Sequence, residues 1–238
     1  MARVAVFSEP LSIVEKGVEE LRLIQSRMPW FCPHPEHNFM QKDWGGCKAA
    51  LVVGAGPLGL LATALIKLAK AYTYVADIVP ESHPKVRLVK EMGAEYIDAR
   101  TKTPQEIVHF CCTPTGSLNI IFEASGAADT AMELIPFMSR ISIYVMTGIP
   151  RGDLNIQLDA ALLVRRMVRF NQVIFGSVNS NRRHFEKALQ DMADVNLHMR
   201  GTLGEMVTRR IKLEDYEKAF TTSGPGQIKT VIEVEPWT

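Results

Sequence analysis

At 238 residues with 47% hydrophobic side chains, the chain is long enough for one large domain, or one domain with an appendage, around a sizeable core. Its 27 basic and 26 acidic side chains leave a net charge of +1, which excludes the charge surplus of a nucleic-acid or membrane-surface protein. The clusters Arg165, Arg166, Arg169 and Arg182, Arg183 read instead as solvated helix faces or a subunit contact. Cysteines at 32, 47, 111 and 112 contain no Cys-x2-Cys pair, so a structural zinc lobe of the usual type is not expected. MARVAVFSEPLS has no apolar signal core, and the expected compartment is the cytoplasm.

Residues 2 to 7, ARVAVF, read as a short strand. Ser8 is placed to cap a helix from about Pro10 to Arg27, with Leu11, Val14, Val18, Leu21 and Ile24 on its apolar face. Glu9 has a structural role available, since a carboxylate at a helix start interacts favourably with the dipole. Met28 to Gly46 is a loop. Cys32, His34, His37 and Cys47 are soft ligands in no strong zinc spacing, and packing of a long connection is the competing reading.

Leu51 to Lys70, LVVGAGPLGLLATALIKLAK, organises the rest. The apolar run Ala49 to Val53 predicts a buried strand, broken by Gly54, Gly56 and Gly59 and followed by helical spacing through Leu60, Ala64 and Leu68. In Gly-x-Gly-x-x-Gly the first glycine makes the tight turn, the second lets a pyrophosphate approach the backbone, and the third lets helix and strand pack closely. Pro57 and Leu58 open the helix, where free N–H groups and the positive dipole end suit phosphate. A second strand, Tyr72 to Val79, carries Asp77 where a carboxylate would bond the adenosine ribose. A membrane span over Ala49 to Ile66 fails because three glycines and Pro57 would expose backbone to lipid. A triphosphate loop fails because Leu60 and Leu61 stand where lysine and a hydroxyl are required.

Beyond PESHP, a helix is predicted from Lys85 to Met92, a strand from Ala94 to Asp98 and a helix from Pro104 to Cys112. Further strands follow: Asn119 to Ala124, ending in Ser125 and Gly126 before a helix around Ala127; Ile141 to Met146, ending in Thr147 and Gly148; and Val173 to Phe175, ending in Gly176, Ser177, Val178 and Asn179. Strands alternating with helices predict an α/β fold, a Rossmann doubly wound parallel sheet whose strand tips line one crevice. The remainder reads helix (Asn181 to Ala193), strand (Met206 to Arg210), helix (Leu213 to Phe220) and strand (Ile228 to Val234), the last leaving the sheet to pair elsewhere. The expected organisation is 1–47 as strand, helix and loop, 48–193 as the nucleotide-binding domain and 194–238 as a return segment.

No tyrosine has a lysine four residues later and no predicted helix carries two histidines for a metal, so no catalytic set can be derived from the residues alone. SEPLSIVEKGVEE at 8–20, LVVGAGPLGLL at 51–61, IFEASG at 121–126 and GSVNSNRRHFEKAL at 176–189, followed by QIKTVIEV, resemble the nucleotide-binding and C-terminal portion of zinc-dependent medium-chain dehydrogenases. Among these the chain is most similar to archaeal glucose 1-dehydrogenases. The resemblance implies hydride transfer from an aldose C1 to NAD(P), with most zinc ligands in an N-terminal catalytic lobe largely absent here. It maps one zinc-side group onto Glu9, beside the helix-start role, and places Asn179 by the nicotinamide and sugar, beside a role capping the next helix. Members using NADP show an Arg pair after the second strand; Asp77-Ile78-Val79-Pro80 stands here, favouring NAD, with Lys85 or Arg87 able to soften that choice. A stand-alone, non-catalytic dinucleotide-binding or redox-sensing module is the alternative. Surface around Glu9 and the crevice predicts self-association, hence a homo-oligomer, or poor solubility.

Overall fold

The computed structural model describes residues 2–28, 34, 41–151, 155–199, 201–221, 224 and 226–234. Six strands, β1 (Ala49–Val53), β2 (Tyr72–Asp77), β3 (Glu95–Asp98), β4 (Ile120–Glu123), β5 (Ile143–Met146) and β6 (Val173–Gly176), form one sheet in the order β3-β2-β1-β4-β5-β6. All five pairings are parallel. The helices are α1 (Ser8–Ser26), α2 (Pro57–Leu68), α3 (Pro84–Glu91), α4 (Pro104–Cys111), α5 (Ala128–Leu134), α6 (Ala160–Phe170), α7 (Arg182–His198), α8 (Thr202–Met206) and α9 (Lys218–Thr221). This is the doubly wound Rossmann arrangement the sequence predicts. The chain reverses its direction of sheet growth at β1, which pairs with β2 on one side and β4 on the other, and such a switch point opens a crevice at the carboxyl ends.

Alternation along the strands divides the core. Ala50, Val52, Val75, Ile120, Phe122 and Val145 face α1, α2 and α7 in one apolar cluster, while Ala49, Leu51, Tyr74, Ile121 and Tyr144 face α4 and α5 in the other. Successive side chains of a strand point to opposite faces, so a sheet covered on both sides must be apolar at every position, and β1 is buried throughout. Local chemistry sets the helix starts. Pro57, Pro84 and Pro104 each occupy a first turn, and Thr103 with Glu106 forms a capping box before α4.

The structure corrects several sequence expectations. Residues 2–7 are not a strand but a 3-10 turn leading directly into α1; Val4 and Phe7, three apart, are buried, and a three-residue period suits that turn rather than a sheet. Ser8 is therefore inside α1, not its cap. Ile78 and Val79 lie beyond the end of β2, and the predicted helix over Leu213 to Phe220 divides into a 3-10 turn (Leu213–Asp215) and α9. The last strand does leave the main sheet. β7 (Val207–Lys212) and β8 (Lys229–Glu233) pair parallel in a separate two-stranded sheet, with Arg210 and Glu233 in ion contact at 2.9 Å. Among the described residues no helix is long and apolar enough to cross a membrane.

Candidate dinucleotide site

The glycine turn has the geometry its spacing requires. Gly54 takes a φ of +96°, and a side chain there would press on Ser125 of the β4 tip. A Cβ at Gly59 would sit 1.8 Å from the Gly54 carbonyl oxygen, so this third glycine is fixed by the packing of α2 against the turn. Gly56 differs, since a Cβ there would meet nothing within 4 Å: its bare side faces open space at the start of α2. With Gly56 at the N-cap offering no side-chain acceptor, and Pro57 having no N–H, the first-turn amides of α2 remain available to an anion beside Leu58.

Asp77 closes one side of this turn. Its Oδ2 accepts the Ala55 N–H at 2.5 Å and its Oδ1 the Ile78 N–H at 2.6 Å. Each carboxylate oxygen keeps a further lone pair for a ligand hydroxyl. The Tyr96 hydroxyl lies 2.9 Å from the Asp77 carbonyl and 2.5 Å from that of Val79, holding the β2 tip from β3. Burial and the Asp77 carboxylate push the Tyr96 ionisation upward, so it remains a neutral donor. The Arg87 guanidinium is engaged by Glu91 at 2.9 Å and by Glu205, on the side of α3 toward α8. It is committed to those carboxylates rather than to the end of β2.

The β4 and β5 tips are joined through Glu123, which stands within IFEASG and to which the local sequence alone gives no role. Only 2% exposed, its Oε1 accepts from the Ser125 N–H (2.6 Å), the Ser125 hydroxyl (2.6 Å) and the Gly126 N–H (2.8 Å), and its Oε2 from the Gly148 N–H (3.2 Å). The Thr147 hydroxyl donates to the Glu123 carbonyl at 2.7 Å. A Cβ at Gly148 would lie 2.2 Å from Gly126 N, which shows how closely these two tips approach. Glu123 thus sets Ser125, Gly126 and Gly148 through its carboxylate, and Thr147 through its backbone carbonyl, along the floor of the crevice.

At the far rim, the β6 tip meets the start of α1. Ser177 donates its N–H to the Met146 carbonyl at 2.8 Å, while the Val178 carbonyl accepts from Lys16 Nζ at 2.9 Å. Ser12 Oγ lies 2.7 Å from Ser180 Oγ and donates to the Glu9 carbonyl at 2.6 Å. Asn179 is exposed with a φ of +67°, a conformation asparagine tolerates better than most residues. Capping of the next helix falls not to Asn179 but to Asn181, whose Oδ1 accepts the His184 N–H at 3.3 Å while His184 Nδ1 accepts the Asn181 N–H at 3.1 Å. Glu9 and Asn179 therefore share one rim, and the Glu9 side chain is exposed in the first turn of α1. Among the described residues no three His, Cys, Asp or Glu side chains come together around a metal-sized space. Cys32 and His37 of the soft-ligand reading lie outside the described residues.

An open parallel sheet with a glycine turn at its switch point and a carboxylate at the tip of the neighbouring strand defines the Rossmann class of α/β folds. Within it, the chain belongs to the family described as glucose dehydrogenase C-terminus, whose family model matches residues 2–234. It is 32% identical over 234 residues to glucose 1-dehydrogenase 2 of Vulcanisaeta moutnovskia, covering 97% of this chain and 59% of that protein. It is 31% identical over 234 residues to glucose 1-dehydrogenase of Thermoproteus tenax, covering 98% and 59%. Among solved structures, Haloferax mediterranei glucose dehydrogenase in complex with NADP, Zn and gluconolactone superposes with a TM-score of 0.79 at 26% identity, over 97% of this chain and 59% of that one. An alcohol dehydrogenase from Thermotoga maritima, at 19% identity and a TM-score of 0.67 over 88% of this chain and 50% of that one, shares the fold. The chain thus spans about 59% of the length of the glucose dehydrogenases it matches.

Proposed function

We propose that this chain is the nucleotide-binding portion of a glucose 1-dehydrogenase and that it binds NAD across the carboxyl ends of β1, β2, β4, β5 and β6. The carrying observation is the glycine turn, whose one bare side, at Gly56, faces open space beside uncapped first-turn amides of α2. There the amides take the pyrophosphate and Asp77 accepts the adenosine ribose hydroxyls. Ser125, Gly126, Thr147 and Gly148, held by Glu123, and then Ser177, Val178 and Asn179 continue along the crevice toward the nicotinamide. The bound nicotinamide supplies the hydride acceptor for the C1 hydrogen of an aldose. Asn179 orients the sugar end, and Glu9, on the same rim, contributes one carboxylate toward a metal. A single carboxylate does not hold a catalytic zinc, which takes three protein ligands, so no step is assigned to zinc on this chain.

The choice of NAD over NADP rests on charge. A carboxylate at Asp77 repels a 2′-phosphate, and Arg87, the guanidinium nearest in sequence, is occupied by Glu91 and Glu205. Calorimetric titration of the purified chain with NAD and separately with NADP tests the reading. Saturable binding with NAD the tighter ligand is expected. Tighter NADP binding overturns the assignment of Asp77, and no binding of either nucleotide overturns the proposed function.

A further inference from the structure

The turn between β2 and α3, residues 78–83, follows directly on Asp77 and so borders the ribose end of the nucleotide crevice. Most of its hydrogen bonds close it on itself and on α3. The Pro80 carbonyl accepts the His83 N–H at 2.9 Å, His83 Nδ1 accepts the Lys85 N–H at 3.2 Å, and Glu81 meets Lys90 at 3.4 Å. Among the described residues its one hydrogen bond to β3 comes from the Tyr96 hydroxyl, which lies 2.5 Å from the Val79 carbonyl. The same hydroxyl is 2.9 Å from the Asp77 carbonyl, which also accepts the Ala99 N–H at 3.0 Å. Tyr96 stands opposite Val75 in the register of β2 and β3, and its ring is buried in the apolar cluster that holds Val75, Val86 and Val89. The hydroxyl alone reaches past the end of β2.

That fastening bears on where the Asp77 charge can go. The Asp77 carboxylate is held on one side by the Ala55 N–H and on the other by the Ile78 N–H. Ile78 is the first residue of the turn, so a carboxylate that withdraws from a 2′-phosphate must either give up that bond or take the turn with it. Moving the turn parts Val79 from Tyr96. With the hydroxyl in place, a 2′-phosphate therefore meets a fixed negative charge; without it, the same phosphate meets one that can swing aside.

We propose that Tyr96 is a positioning residue for cofactor choice: its hydroxyl keeps the turn after β2 closed, so that Asp77 excludes the 2′-phosphate of NADP. This role rests on the nucleotide reading of the crevice, and Tyr96 acts through Asp77 rather than on the nucleotide.

Tyr96→Phe removes the hydroxyl and leaves the ring among Val75, Val86 and Val89. Calorimetric titration of the folded 238-residue variant with NAD and with NADP is expected to show the NAD-to-NADP affinity ratio lowered by about threefold or more, NADP being bound no less tightly than by the wild type. A general loosening of the fold would weaken both nucleotides alike and leave the ratio where it was. In the Asp77→Asn background, where no charge remains to be held, the same substitution is expected to change the ratio by less than about twofold. An unchanged ratio in Tyr96→Phe overturns the role of Tyr96 alone when the wild type binds NAD, and so does an equal fall in the Asp77→Asn background. A wild-type chain that binds neither nucleotide, or binds NADP the more tightly, overturns the NAD reading and this role together.

Discussion

The Asp77 carboxylate lies 2.5 Å from the Ala55 amide, tying the end of β2 to the middle of the glycine turn. This bond gives Asp77 two roles that substitution separates. Asp77→Asn keeps an oxygen for Ala55 but removes the negative charge, so NAD binding survives while the penalty against a 2′-phosphate falls. Hydrogen bonds to charged groups contribute about 1.5–3 kcal/mol, so the NAD-to-NADP affinity ratio is expected to drop by about tenfold or more. Titration of the variant with both nucleotides reads this directly; an unchanged ratio removes Asp77 from nucleotide selection.

Glu123 is predicted to hold the crevice floor through its charge. Glu123→Gln retains one acceptor oxygen but turns an amide group toward backbone N–H donors at Ser125, Gly126 or Gly148. A loss of about 2–3 kcal/mol is expected, which for a chain of this size corresponds to roughly 4–12 °C in Tm. Thermal unfolding followed by circular dichroism measures it. A Tm within a degree or so of the wild type would show that the four bonds do not depend on the carboxylate.

Why the glycine turn was legible in the sequence and Glu123 was not has a physical cause. Gly54, Gly56 and Gly59 answer requirements of the local backbone, so their spacing is written in one short stretch. Glu123 answers requirements set by another strand: its acceptors are completed by Gly148, 25 residues further on, and nothing local distinguishes it from a solvated carboxylate ending a strand. The same limit explains Ala2 to Phe7, where an apolar run looks like a strand but no sheet edge receives it. The helix α6 was visible only as a cluster of arginines because none of its residues is fully buried.

Gly59→Ala tests the phosphate cradle by sterics alone. The added methyl would lie 1.8 Å from the Gly54 carbonyl oxygen, backbone that cannot move without parting α2 from β1. Overpacking of this kind costs about 1–3 kcal/mol, and because the displaced segment is the nucleotide turn, NAD affinity is expected to fall by more than about tenfold. Gly56→Ala, with open space around it, is expected to leave Tm unchanged and still weaken NAD. Wild-type affinity in both variants would place the nucleotide elsewhere.

The Glu15 carboxyl gives the fold a pH dependence. Burial, then the charge and hydrogen bond of Asp191, push it up to about 9, against the opposing pull of Lys187 and Arg22. A carboxyl that holds its proton more tightly folded than unfolded contributes stability that is complete below its ordinary value of 4.5 and is lost as pH rises toward about 9. Glu15→Gln, permanently neutral, lacks that loss. Its stability relative to wild type is expected to increase between about pH 5 and pH 8, by no more than about 1.4 kcal/mol per unit. Urea unfolding at the two pH values decides it, and parallel pH profiles would assign the carboxyl an ordinary ionisation.

The sequence ties self-association to the surface around Glu9 and the crevice; we propose that the contact forms instead through the β6 side of the sheet. β6 pairs only with β5 in the six-stranded sheet, so its outer backbone groups face away from that sheet. The helix that leads into it, α6, exposes Val164 (60%) and Val168 (74%) one turn apart and has no buried residue. An open strand edge that follows a helix with exposed valines is a pairing surface, and a second copy of the same edge meets it by a two-fold axis, which closes the assembly. Covering the valines contributes an apolar term that grows with the area buried, at about 25 cal/mol per Å². Val164→Glu with Val168→Lys should therefore shift the chain toward monomer in sedimentation velocity, while NAD affinity stays unchanged because no crevice residue is touched. A wild-type chain that sediments as a monomer at every concentration, or a variant that associates as the wild type does, would take the contact away from this edge.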